Sequence, residues 1–210
     1  MTVTDVTPQK KNTSRVNVFV DGKYLFSLDE VDAVNLGIKK GAELTKDELA
    51  LCLKYSGVAK AKDKALDIIS HKAVTRKMLF DLLLQKGFSA EDITDVCDEL
   101  ENLGYIDDYA FAQLFMEYAE QKMWGTRKIR YELMQKGVSA DIAEDVLSEF
   151  ELPTPEKLAG SIIAKYGASD LSDIKVRQKI TRYYAARGFD FDIIKSALSI
   201  SKGMDNSDDE

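Results

Sequence analysis

Chemistry in this chain would have to come from very few residues. His71 is the only histidine, and Cys52 and Cys97 are the only cysteines. One imidazole cannot supply a set of histidine metal ligands. A Ser-His-Asp triad would have to be built on His71, whose surroundings carry no nucleophile motif. The two cysteines lie far apart in helix-like, apolar contexts without metal-ligand spacing, so both are expected to be reduced core thiols. No Gly-x-x-x-x-Gly-Lys-Ser/Thr loop occurs, and Gly37…Gly41 lacks the glycine set and the strand–helix context of a dinucleotide site. Glu91-Asp92 and Asp107-Asp108 are paired carboxylates of the kind that perform acid–base work. Both pairs fall at expected helix starts, where negative charge is favoured for structural reasons. The residues therefore read as a non-enzyme, with no catalytic residue, metal or cofactor.

Charge offers more than catalysis does. The formal net charge of −7 argues against a plain DNA-coating protein, because phosphate binding is driven by Lys and Arg displacing counterions. The distribution is uneven: Pro155–Met204 holds nine Lys/Arg against five Asp/Glu, whereas 60–150 is net acidic. A basic end beside an acidic middle suits a protein partner, or a mixed protein and DNA surface. Lys175, Lys179 and Arg182 recur at spacings of four and three, which puts them on one helical face, and Arg187 extends the charge at the helix end. Arg127 and Arg130, with Lys128 between them, form a second group, and Arg76-Lys77 is its counterpart further upstream. Tyr183 and Tyr184, next to Arg182, are candidates for stacking on bases. Trp124, Tyr105, Tyr109, Phe111, Phe115 and Tyr118 are expected instead to pack where helices meet.

These residues need a frame, and the chain writes one by repetition. Gln85-Lys86-Gly87-Phe88-Ser89-Ala90 returns fifty residues later as Gln135-Lys136-Gly137-Val138-Ser139-Ala140, and more weakly as Ala186-Arg187-Gly188-Phe189-Asp190. A period near fifty residues marks a repeat array. Each copy reads as a helix ending in a cation and a left-handed glycine, followed at once by a cap for the next helix. Thr75, Thr126 and Ser172 are placed as N-caps of the preceding helices. Three triplets are expected: 60–71, 75–86 and 89–102; 108–123, 126–136 and 139–151; 155–166, 173–187 and 190–201. Ahead of them, Val16–Val20 and Tyr24–Leu28 flank Asp21-Gly22, the pair that accepts a tight hairpin turn. Thr2–Gln9 supplies a possible third strand, and Asp29–Leu36 and Thr45–Tyr55 short covering helices, the latter opened by a Thr45/Glu48 capping box.

The fold class expected is mostly α: tandem three-helix repeats, elongated and solenoid-like, preceded by a small β-hairpin/α module. Its divisions are 1–59 for that module, 60–104, 105–152 and 153–202 for the repeats, and 203–210 for a disordered acidic tail. No stretch approaches the ~18 apolar residues of a membrane span, and Met1–Asn17 lacks a signal-peptide core, so the expectation is a cytoplasmic protein without a membrane partner.

The ordered series also resembles a known family. Arg15–Gly22, Leu36-Gly37-Ile38-Lys39-Lys40-Gly41, Leu82–Phe88, Leu103-Gly104-Tyr105-Ile106-Asp107-Asp108-Tyr109-Ala110 and Gly125-Thr126-Arg127-Lys128-Ile129 look like successive landmarks of the RecX regulatory proteins, over roughly residues 10 to 200. Lys72-Ala73-Val74-Thr75 departs from the Arg-Pro-Arg-Ser-like entry often seen there. The expected state is a monomer, and the resemblance implies that it binds RecA nucleoprotein filaments and inhibits filament growth, strand exchange and the coupled ATPase. It would thereby modulate homologous recombination, DNA repair and the SOS response, with single- or double-stranded DNA as a further contact. The alternatives are a DNA-binding helical repeat acting independently of RecA, and a helical scaffold for another protein.

Overall fold

The computed structural model describes residues 1–10, 12–151, 153–167 and 169–205. Three strands open the chain: β1 (Val3–Pro8), β2 (Arg15–Val20) and β3 (Lys23–Asp29). They form one antiparallel sheet in the order β1-β2-β3. The β2–β3 turn is Asp21-Gly22, with φ of 49° and 79°, the positive angles that a two-residue hairpin requires. A short helix, α1 (Glu30–Asn35), follows, and then α2 (Lys46–His71). Val3, Val18, Phe26 and Leu28 from the sheet, Ala33 and Ile38, and Cys52 from α2 share one buried cluster. The long helix thus supplies the cover that a small sheet needs in water.

The remaining helices come in threes. With the C-terminal half of α2, α3 (Arg76–Gln85) and α4 (Ala90–Asn102) enclose a second core. Next, α5 (Asp108–Gln121), α6 (Thr126–Gln135) and α7 (Ala140–Glu149) enclose a third. Finally, α8 (Pro155–Tyr166), α9 (Ile174–Ala186) and α10 (Phe191–Asp205) enclose a fourth. The triplets repeat each other at their main core positions. Leu79, Ile129 and Ile180 are buried at matching places, as are Leu83, Leu133 and Tyr184, and then Val96, Val146 and Ala197. The same cap closes the middle helix of each. Phe88, Val138 and Phe189 donate their amides to the Leu83, Leu133 and Tyr184 carbonyls, around glycines with φ near +90° (88°, 92° and 87°). Ser89 and Ser139 then accept from the amides of Asp92 and Ile142, so each chain reversal starts the next helix.

Several expectations are corrected. The covering helix over Thr45–Tyr55 and the first repeat helix over 60–71 are one continuous α2, so the division at 59/60 falls mid-helix. Gly57 does not break it, although a glycine inside a helix costs about 1 kcal/mol relative to alanine; a Cβ there would meet only the movable carboxylate of Asp92 on α4. Buried Ser56 receives the Ser27 amide at 3.4 Å, and Arg15 on β2 reaches Asp63 on α2, which ties the sheet along the same helix. The cap of α6 is Gly125, not Thr126, and the cap of α9 is Asp173, not Ser172. The last helix continues to Asp205, into the segment expected as a tail. Ser201 anchors its end from within the core, bonding the Ala197 and Ala159 carbonyls. The rest of the expected disordered tail, 206–210, lies outside the described residues. The chain divides into two compact units, Met1–Ile106 and Asp107 onward. Among the described residues, no helix is long and apolar enough to cross a membrane.

Candidate partner-binding surface

The most unusual element in charge is α9. Its sequence, IKVRQKITRYYAA, carries four cations and no carboxylate. Like charges three and four positions apart repel on a helix, so this pattern works against the helix it sits in. What holds α9 in place is its other face, where Ile180 and Tyr184 are buried against α8 and α10. Asp173 starts it by accepting the Lys175 amide at 2.7 Å. Among the described residues, no carboxylate lies within ion-pairing distance of Lys175, Arg177, Lys179 or Arg182.

The two tyrosines separate. Tyr184 is 1% exposed, and its hydroxyl bonds Ser161 at 2.9 Å. It is a core residue four positions after Ile180 on the same buried stripe, which corrects the expectation that it could stack on a base. Tyr183 is half-buried and flanked by cations: Lys165 lies 3.7 Å and Arg187 4.6 Å from its ring centroid. The adjacent Lys165 ammonium lowers the Tyr183 phenol pKa from its ordinary value, with Arg187 adding to the effect. Tyr183 thus gathers charge more than it offers an open ring face. Arg187 also donates to the Lys122 carbonyl at the end of α5.

The other predicted cations already have partners within the fold. Arg76 bridges to Asp98 and Glu101 on α4 at 2.5 and 2.6 Å, and Lys77 pairs with Asp81 one turn on. Arg130 grips Glu144 on α7 through two contacts, 2.5 and 3.0 Å. Lys128 pairs with Glu132 at 3.3 Å and lies 4.7 Å over Trp124. Arg127 stands 3.6 Å from Asp190. Trp124 itself packs with Phe115 and Tyr118, as expected for a junction, while Tyr105 and Tyr118 remain exposed. Within the second unit, the structure brings Arg127, Lys128 and Arg187 together where the start of α6 meets the end of α9. There Gly125 donates to the Arg187 carbonyl at 2.8 Å, and the Arg127 amide donates to the Gly188 carbonyl.

Sequence reading passed over a groove beside α9. Ile174, Arg177, Arg182, Phe191, Lys195 and Leu198 line a space of ≈580 Å³ between α9 and α10. Ile174 and Phe191 are 71% and 62% exposed, although each opens a helix as an apolar residue that would ordinarily be assigned to the core. Arg177, Lys195 and Lys165 were also missed. A signal existed for Arg177, since it lies three positions from Ile174 and so shares its face. A smaller groove of ≈470 Å³ in the first unit, beside α2 and α4, differs in kind. Its Lys54 and Lys62 are already bridged to Glu91, Asp95 and Glu99. Among the described residues, no group of three or more His, Cys, Asp or Glu is placed to hold a metal ion.

Comparison with known proteins agrees with this architecture. Residues 1–45 match the regulatory protein RecX N-terminal domain, 61–100 the RecX first three-helix domain, and 107–147 the RecX second three-helix domain. The regulatory protein RecX of Caldanaerobacter subterraneus subsp. tengcongensis is 30% identical over 193 residues, covering 92% of this chain and 96% of its own. That of Clostridium botulinum strain Alaska E43 is 33% identical over 201 residues, covering 93% and 94%. A crystal structure of regulatory protein RecX shares the fold with a TM-score of 0.72 at 24% identity, over 94% of this chain and 98% of that one. A second, from Lactobacillus salivarius, gives 0.56 at 24% identity over 70% and 97%. With a sheet module and successive three-helix domains matched in order, and relatives aligned over nearly their whole length, the chain belongs to the RecX family.

Proposed function

We propose that this protein is a non-enzymatic regulator that binds RecA filaments on DNA and inhibits their recombinase and ATPase activity, thereby modulating repair and recombination. The observation that carries the reading is α9, a helix with four cations and no carboxylate that the fold leaves without ion-pair partners among the described residues. Uncompensated like charge on a packed helix favours an anionic partner, and Lys175, Lys179 and Arg182 present it on one exposed crest. Membership of the RecX family supports RecA as that partner. The same cations favour a second reading, binding to bare DNA without RecA. That reading requires a steep salt dependence that tracks the number of phosphate contacts.

The deciding experiment adds substoichiometric amounts of the chain to preassembled RecA–DNA filaments and follows ATP hydrolysis. Hydrolysis is expected to slow. An unchanged rate, together with salt-sensitive binding to naked DNA, would replace the first reading with the second.

A further inference from the structure

The groove between α9 and α10 has chemistry that filament binding in general does not specify. Its walls are aliphatic and aromatic, from Ile174, Phe191, Ile194 and Leu198, and its rim carries Arg177, Arg182 and Lys195. Ile174 and Phe191 stand mostly in water, and exposed apolar residues gathered on one groove mark a binding surface. Among the described residues, no carboxylate lines the space. The acid nearest in sequence to Ile174 is Asp173, which is already used as the α9 cap. In the groove of the first unit, by contrast, the lysines are neutralised within the fold.

We infer that this groove is a docking site for an acidic protein segment that inserts a bulky apolar side chain. Apolar anchors seated in a groove and flanked by charge are the common mode of helix-in-groove and peptide recognition. The rim cations select carboxylates, and the walls select an aliphatic or aromatic anchor. A nucleic acid fits less well. Phosphates would satisfy the rim, but Ile174, Ile194 and Leu198 would face polar base edges and leave them unpaired. The inference rests on the proposed regulation of RecA in one respect: the segment is taken to belong to the RecA protomer.

The test uses the full chain with two groove variants, Phe191→Ala and Lys195→Glu, both at exposed positions outside the core. Three probes are titrated: RecA–single-stranded DNA filaments, an array of overlapping RecA peptides, and bare oligothymidylate. Each variant is expected to weaken filament binding about tenfold while binding to oligothymidylate changes less than about twofold. The peptides retained by the unsubstituted chain should be net acidic with a large apolar residue, and Lys195→Glu should release them. Filament binding unchanged by both variants overturns the groove assignment and leaves the regulatory reading standing. An equal loss on oligothymidylate identifies nucleic acid as the occupant and also overturns it. Concentration-dependent self-association abolished by Phe191→Ala would name a second copy as the occupant, which overturns the assignment as well. A chain that binds no filament at all removes both the groove assignment and the regulatory reading beneath it.

Discussion

At the residue scale, the fold answers the question of reactivity through burial. Cys52 sits in the sheet-module core and Cys97 in the α2–α4 core, both as free thiols. Burial pushes both thiols up; the Glu48 charge adds to the effect at Cys52, while nearby Arg76 partly opposes it at Cys97. The thiolate is the reactive form, so the native protein at pH 8 should react with Ellman's reagent far more slowly than the urea-unfolded chain. The pH consequence has a definite sign. A thiol whose folded pKa lies above the unfolded value of about 8.5 contributes its stability fully below that pH and loses it as pH rises through the folded pKa. Denaturation midpoints should therefore fall above about pH 8.5, and fall less in a Cys52→Ala/Cys97→Ala variant. Two thiols titrating in the native state at the rate of a small peptide would contradict this account.

At the element scale, the helix ends show which structure is written locally and which is not. Lys86-Gly87, Lys136-Gly137 and Arg187-Gly188 could be read as C-caps because every group in the motif lies within a few residues of its partner. Ser89 and Ser139 were legible for the same reason. The start of α6 was not, since its cap is completed by a carbonyl from Gly188, distant in sequence, and nothing near Thr126 announces it. A Cβ on Gly125 would lie 2.4 Å from the Gly188 carbonyl group, and one on Gly188 would lie 2.3 Å from the Lys128 nitrogen. The two glycines let the backbones of α6 and α9 meet directly, joining two triplets within the second unit. Tyr184 failed in the opposite direction. A polar-tipped aromatic beside arginine looked open to a base, but the rotation of a helix is set by its neighbours, and α8 and α10 bury it. The glycine pair gives a test. Gly87→Ala has open space around it and should cost only the left-handed penalty of about 1–2 kcal/mol. Gly188→Ala adds a backbone collision and should cost about 3 kcal/mol or more, measured by urea denaturation. Equal losses would mean that the α6–α9 approach is not tight in solution.

At the scale of the whole molecule, charge is the property that packing does not explain. The protein pairs several cations on its other helices: Arg76, Arg130, Lys54, Lys62 and Lys157 each reach a carboxylate on another helix. On α9 it does not, and the repulsion among Lys175, Lys179 and Arg182 opposes folding while the surface stays unoccupied. Sites shaped for a partner commonly carry such a stability cost. The triple variant Lys175→Gln/Lys179→Gln/Arg182→Gln should therefore move stability and binding in opposite directions. At low salt its melting midpoint should rise by about 1–2 °C, since two like-charged pairs at helical spacing are removed. The gain should shrink as added salt screens the charges over a Debye length of about 8–10 Å or less. Its hold on RecA–DNA filaments should weaken over the same salt range. If the substitutions were to lower the midpoint while binding held, α9's charge would serve the fold, and the binding surface would have to be sought on another element.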